Sequence, residues 1–343
     1  MMKIAVLTGG GDCQGLNAAI RAVVRKALEY DFDVMGVQRG WWGLLNDSVK
    51  YMNLNSVSGI LPLGGTILGT SRTNPFKHPN GPDIVLDNIK KNKIDVLVVI
   101  GGDDTLGVAV KLFKMGIPVV GIPKTMDNDV AFTDYCIGFD SAVSIVCDAL
   151  DKLHTTASAH HRVMVVEVMG RDTGWVALVG GLAGGADWIL IPEVPTNVSQ
   201  ICDHLNRRRS RGKEFSIIVV AEGVTFPDLD ERELSDIDEF GHPRLDRRNI
   251  GELLGRLIEK RTGFETRVTV LGHLQRGGAP TVFDRVLATR LGVAAVNLVK
   301  DQKFGRMVAL QGNEIKSVEL EDAINNSPKG VNIELYRLAQ LFY

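Results

Sequence analysis

Two apolar runs, each cut off by a turn of glycine or proline and acids, constrain this chain more than anything else in it. Val96 to Ile100 stops at Gly101-Gly102, and Asp103-Asp104-Thr105 follow at once, ahead of a helical pattern through Lys111 to Met115. Then Ile117-Pro118-Val119-Val120-Gly121-Ile122 leads into Pro123-Lys124-Thr125-Met126-Asp127-Asn128-Asp129. A short run without polar interruption is a strand buried on both faces, as in parallel sheets covered by helices. Glycines at a strand end let a ligand approach the backbone closely. A helix start offers N–H groups that suit phosphate, and carboxylates suit a hard cation such as Mg²⁺. The two turns are expected at neighbouring strand ends facing one cleft.

The same pattern recurs along the chain. Lys3 to Thr8 reads as a strand, closed by Gly9-Gly10-Gly11-Asp12 and followed by a helix from Leu16 to Glu29. Asp33 to Val37 is a strand, and Gly40-Trp41-Trp42-Gly43 reads as an aromatic loop lidding the core. Leu63 to Arg72 is a second glycine-rich connection, and Pro82 to Asn92 is helical. Beyond a long helix from Asp140 to Thr155, strands are expected at Arg162–Val168, Phe215–Val220 and Thr266–Leu271. They end at Met169-Gly170-Arg171, Ala221-Glu222-Gly223 and Gly272-His273-Leu274-Gln275-Arg276-Gly277-Gly278. Helices are expected over Thr173–Ala183, Gln200–Arg211, Ile250–Arg261 and Thr281–Leu298, with short strands near Met307–Leu310 and Lys316–Val318. The polar stretch Pro227 to Arg247 reads as a surface insertion or hairpin. Alternating strands and helices give an α/β class with mostly parallel sheets. Ligands in such sheets bind outside the carboxyl ends of strands.

Composition excludes some functions. With 39 basic against 41 acidic residues the formal charge is −2, so there is no basic field for nucleic acid. No apolar run approaches the roughly 18 residues of a membrane span, and Lys3 to Leu7 is too short for a signal peptide. Cys13, Cys136, Cys147 and Cys202 form no CxxC. A reduced, cytoplasmic protein of about two domains is expected.

Asp103, Asp104, Asp127 and Asp129 repel one another unless a cation or a proton is shared. Mg²⁺ with a polyphosphate resolves this, although any single Asp also caps helices and turns well. Glycines and acids together with Thr105, Lys124 and Thr125 suggest phosphoryl transfer, with Asp127 or Asp129 as base for an acceptor hydroxyl. Arg162, Arg171, Arg267 and Arg276, with His273, lie at strand boundaries and suit a phosphate clamp. Glu222 can accept hydrogen bonds from sugar hydroxyls. His160-His161 is not a metal pair, because adjacent residues on a helix point apart.

The turns at Gly9–Asp12, Gly69–Arg72, Gly101–Thr105, Pro123–Asp129, Met169–Arg171, Glu222-Gly223 and Gly272–Gly278 together resemble the phosphofructokinase family, in order and in spacing, over nearly the whole chain. The resemblance implies two Rossmann-like three-layer domains with the active site in the cleft between them. Residues 1–138 plus about 252–306 would bind the phosphoryl donor. Residues 139–251 plus about 307–320 would bind fructose 6-phosphate, and 321–343 would form a C-terminal helical extension. It implies that a phosphoryl group passes to the 1-hydroxyl of fructose 6-phosphate. Asp127 would be the base, and Asp103 would hold Mg²⁺, with Asp129 as a second candidate. Thr125 and Arg171 would stabilise the transferring group. Gly11 and Arg72 would serve the donor, and Met169, Gly170 and Glu222 the sugar. Arg162 and Arg267 would reach the 6-phosphate in a neighbouring subunit of a homodimer or homotetramer, joined by His273 and Arg276. Gln14 stands where the family usually has proline, with little effect expected. Leu54 stands where regulated bacterial relatives carry an arginine, so the effector site reads as incomplete.

Asp104 and Lys124 resemble the pyrophosphate-dependent branch, where ATP-using relatives generally carry glycine at 104 and often at 124. A carboxylate at 104 would meet the α-phosphate of ATP. Two like charges ~4 Å apart at an effective dielectric of ~20 repel by about 4 kcal/mol, roughly a thousandfold in affinity. Lys124 can balance the leaving phosphate as it gains charge. The rival readings are an ATP-dependent enzyme that tolerates Asp104 and a non-catalytic sugar-phosphate sensor. A dinucleotide-binding oxidoreductase lacks a clean GxGxxG with an acid about twenty residues on.

Overall fold

The computed structural model describes residues 2–226 and 248–343, and the expected hairpin at 227–247 lies outside the described residues. The strands are β1 (Lys3–Thr8), β2 (Asp33–Val37), β3 (Val49–Met52), β4 (Val96–Gly101), β5 (Val119–Pro123), β6 (Val163–Val168), β7 (Trp188–Leu190), β8 (Ser216–Ala221), β9 (Thr266–Val270), β10 (Arg306–Gln311) and β11 (Glu314–Glu319). The helices are α1 (Leu16–Glu29), α2 (Trp41–Leu45), α3 (Gly81–Lys91), α4 (Asp103–Lys114), α5 (Phe139–His160), α6 (Trp175–Ala183), α7 (Val198–Ser210), α8 (Ile250–Thr262), α9 (Val282–Lys300), α10 (Leu320–Asn325) and α11 (Ile333–Gln340).

Two compact units result. The first takes residues 2–141 and 276–329 and holds a seven-stranded sheet in the order β11-β10-β5-β4-β1-β2-β3. Its pairs are parallel except β2–β3 and β10–β11 at the two edges. Every residue of β4 is buried, and side chains alternate between two cores because successive strand residues face opposite ways. Ile4, Val6, Val98 and Ile100 pack against Ile20, Val23, Leu291 and Val296 of α1 and α9. Ala5, Leu7, Leu97 and Val99 pack on the other face against Leu44, Val85, Leu106 and Leu112 of α2, α3 and α4. That is the three-layer arrangement expected.

The second unit takes residues 142–226, 248–275 and 330–343 of the described chain. Its four-stranded sheet, β7-β8-β6-β9, is parallel throughout. Glu167, buried within β6, accepts the Gly251 N–H at 2.7 Å through Oε2 and so serves the start of α8.

Several sequence expectations need correction. Trp41 and Trp42 open helix α2 rather than a loop, although Trp41 does enter the core. Strand β3 was not expected; it is a short antiparallel edge strand with half its residues exposed. The domain boundaries also differ. Residues 252–275 belong to the second unit, because β9 pairs with β6 and α8 packs on that sheet. Residues 306–319 belong to the first, because β10 pairs with β5 and forms a hairpin with β11. Residues 321–343 are no separate extension: α10 lies in the first unit and α11 in the second.

Candidate active site

Three adjacent strands of the first unit end together. Thr8 pairs with Ile100, and Gly101 with Pro123, so the turns after β1, β4 and β5 emerge side by side. Asp103 and Asp104 form the first turn of α4, where the helix dipole favours negative charge. Lys124 begins the third turn, and its N–H donates to Gly101 O at 2.9 Å. Its side chain is only 2% exposed. Nζ donates to Gly9 O at 3.0 Å and Gly11 O at 2.5 Å, so the ammonium holds the first turn to the third. Burial pulls the Lys124 pKa below the ordinary lysine value, and the nearby Cys13, Asp12 and Asp127 work against that. Thr70 Oγ1 donates to Gly10 O at 2.6 Å, bringing the Gly69–Arg72 connection to the same turn. Arg72 itself is exposed.

Thr125 and Asp127 are partly exposed, and the Asp127 N–H donates to Thr125 Oγ1 at 3.1 Å. That bond folds the turn so that Asp127 acts electrostatically on Lys124. Asp129 goes elsewhere. It is 6% exposed, its carbonyl accepts the Lys329 N–H at 2.6 Å, and its charge acts on Lys329 and Cys136. Thr105 is buried under the turns. Among the described residues no group of three or more His, Cys, Asp or Glu could hold a metal ion. Mg²⁺ bound together with a polyphosphate needs only one or two carboxylates from the protein. Asp103 opens α4 as the carboxylate that would hold it. Burial holds the Cys13 and Cys136 thiols at about 12, so both stay protonated and unreactive.

Arg276 lies beside the first glycine turn. Its guanidinium lies in the first unit, where Nη1 donates to Asp12 O at 2.9 Å. A Cβ at Gly11 would lie 2.6 Å from that Nη1. The arginine therefore leans on the first glycine turn. Gln14 also counts for more than its sequence position suggests: fully buried, it donates through Nε2 to Gly277 O and ties that same turn to the segment after Arg276.

In the second unit the loops after β6 and β8 interlock. Gly170 N donates to Glu222 Oε1 at 3.4 Å, Met169 N to Gln275 Oε1 at 3.3 Å, and Gly223 N to Gly170 O at 3.3 Å. A Cβ at Gly223 would lie 1.8 Å from Arg171 O, so only glycine permits this approach. Arg171 Nε lies 3.5 Å from Asp172 Oδ2. Arg162 immediately precedes β6, Arg267 is the second residue of the adjacent β9, and the two share one carboxylate. Arg162 Nη2 lies 2.7 Å from Glu265 Oε1, and Arg267 Nη2 bonds the same oxygen. The Arg162 hydrogen bond holds the Glu265 carboxyl below its ordinary value. His273 is exposed on the turn after β9. Sequence reasoning gave no role to Gln275, although it lies within the Gly272–Gly278 turn, and missed Glu265 and Glu193, which act through partners far along the chain or on a neighbouring strand, with no local motif to mark them.

The family described as Phosphofructokinase matches residues 3–299. A Streptomyces coelicolor protein named pyrophosphate–fructose 6-phosphate 1-phosphotransferase is 51% identical over all of this chain and all of its own. A Corynebacterium efficiens protein named ATP-dependent 6-phosphofructokinase is 49% identical over all of this chain and 99% of its own. In fold, the crystal structure of a pyrophosphate-dependent phosphofructokinase from Marinobacter aquaeolei superposes with a TM-score of 0.83 at 22% identity, covering 97% of this chain and 86% of that one.

Proposed function

The chain belongs to the phosphofructokinase family, and from that premise we propose that it moves a phosphoryl group from pyrophosphate to the 1-hydroxyl of fructose 6-phosphate. The products are fructose 1,6-bisphosphate and phosphate, and the reaction runs readily in both directions. It is a step of glycolysis and gluconeogenesis, carried out in the cytoplasm.

Relatives at 51% and 49% identity carry different donor names, so overall similarity does not choose the donor. The single observation that carries the choice is the pairing of Asp104 with Lys124. Asp104 stands in the helix turn where a nucleotide's α-phosphate would seek N–H groups. Lys124 sits buried beneath the adjoining turns, its Nζ on Gly9 O and Gly11 O. A carboxylate there repels a third phosphate, and a desolvated ammonium favours the small, highly charged donor.

Asp103 would hold Mg²⁺, which would supply charge neutralisation on the donor phosphates. Asp127 takes the proton of the 1-hydroxyl as that oxygen attacks. Thr125 and Arg171 stabilise the group in transfer, and Arg72 serves the donor. Met169, Gly170 and Glu222 hold the sugar. Arg162 and Arg267, pre-aligned by Glu265, reach the 6-phosphate in a neighbouring subunit of a homodimer or homotetramer, with His273 assisting from within. Arg276 joins them, and its place beside Gly11 supports a donor-side role for it as well.

The test compares donors at fixed fructose 6-phosphate and Mg²⁺. Pyrophosphate supports turnover and ATP barely does; Asp104→Gly with Lys124→Gly admits ATP and damages pyrophosphate use. Equal wild-type rates on the two donors would refute the donor assignment.

A further inference from the structure

Glu193 belongs to none of the motifs above, yet its carboxylate closes the far end of the acceptor loop. Gly174, which precedes α6, donates its N–H to both oxygens, at 3.1 Å to Oε1 and 3.0 Å to Oε2. Helix α6 has no side-chain cap and no acid in its first turn. Glu193 therefore supplies from across the fold the negative charge that a helix start favours. The near end of the same loop is pinned by Gln275 on Met169 N and by Glu222 on Gly170 N. Arg171 thus rides on a short loop anchored on both sides.

Glu193 is itself gripped by the last residues of the chain. Val331 N donates to Oε1 at 3.1 Å. The strand just ahead of Glu193 is clipped at one peptide: Tyr336 Oη donates to Ile189 O at 3.3 Å, and Ile189 N donates to Tyr343 Oη at 3.1 Å. The Tyr343 ring stacks on Trp188 with centroids 5.0 Å apart. Strand β7 is an edge strand, so these tyrosines occupy backbone groups that no neighbouring strand would satisfy.

From these contacts we infer that Glu193 is a positioning residue for the acceptor loop and that residues 331–343 hold it in place. The inference rests on the assignment of that loop to fructose 6-phosphate. Its test is Glu193→Gln, which keeps the size and one acceptor but removes the charge and the second acceptor. The KM for fructose 6-phosphate rises about tenfold, as for loss of a hydrogen bond to a charged group. The KM for pyrophosphate stays within about twofold, and amide exchange quickens at residues 170–174. Tyr336→Phe with Tyr343→Phe moves both readouts the same way by a smaller factor, and keeps the test open if the Glu193 variant fails to fold. An unchanged KM for fructose 6-phosphate, an equal rise in both KM values, or unaltered exchange at Gly174 would overturn the inference. A wild-type protein that does not turn over fructose 6-phosphate would instead sink the functional reading, while the exchange measurement still reports on the contact itself.

Discussion

Gly11→Ala offers a sharp test of the donor turn, because its cost can be worked from one contact. Gly11 has no left-handed backbone angle, so alanine brings no torsional strain there. The added methyl would lie 2.6 Å from Arg276 Nη1, 3.0 Å from Cζ and 3.2 Å from Nη2. Contacts under about 3 Å are not tolerated, so the guanidinium must swing away and give up its 2.9 Å bond to Asp12 O. A hydrogen bond from a charged donor is worth about 1.5–3 kcal/mol of stability; with Arg276 proposed to serve the donor from that position, the same figure is the ceiling on the loss of pyrophosphate binding, roughly a hundredfold. The assay is calorimetric titration with Mg-pyrophosphate, run as a double-mutant cycle with Arg276→Ala. In the Arg276→Ala background the methyl has nothing to displace, and Gly11→Ala should then cost no more than about 0.5 kcal/mol. A full cost in both backgrounds would refute the reasoning. It would mean that the methyl strikes the donor phosphate directly and that Arg276 is incidental.

Three further outcomes follow from the same geometry. Burial holds the Lys124 pKa below its ordinary value in the folded protein, and a bound polyanion beside it must raise that value. Pyrophosphate binding should therefore take up a proton at pH values between the two, seen as buffer-dependent binding heat that Lys124→Met abolishes. The sign for stability is opposite to that of a salt-bridged lysine: the unfolded chain binds this proton more tightly, so stability from this group rises with pH from the lowered value towards 10.5. Gly223→Ala, with its methyl 1.8 Å from Arg171 O, should displace the acceptor loop at a cost of about 1–3 kcal/mol. It should raise the KM for fructose 6-phosphate and leave that for pyrophosphate unchanged; equal effects on both would count against two separately built half-sites. Asp127→Ala should abolish turnover yet leave fructose 6-phosphate binding within a few-fold, and loss of both together would make it a binding residue.

Local pattern made much of this protein legible. Short uninterrupted apolar runs such as Val96 to Ile100, bounded by turn residues, have the profile of strands buried on both faces, and a glycine-and-acid turn after each places polar chemistry at strand ends. That reasoning needs no knowledge of which strand lies beside which. It yielded the α/β class, the turns after β1, β4 and β5, and the loops after β6 and β8, while the three-layer packing came from the family resemblance. Partnership between distant residues is what it could not supply. Strand β9 joins β6, and β10 joins β5, because backbone hydrogen bonds carry no local signature of their partner, and this moved the unit boundaries. Asp127 and Asp129 are two residues apart, yet one acts on Lys124 and the other on Lys329. The positive φ of 53° at Asn128 and the docking of Lys329 on Asp129 O send them different ways. The arginine at 276 belongs by sequence to the cluster with His273, and only the folded backbone sets it against Gly11. The chain's periodicity thus fixes where chemistry can occur; long-range contact decides which side chain attends to which substrate.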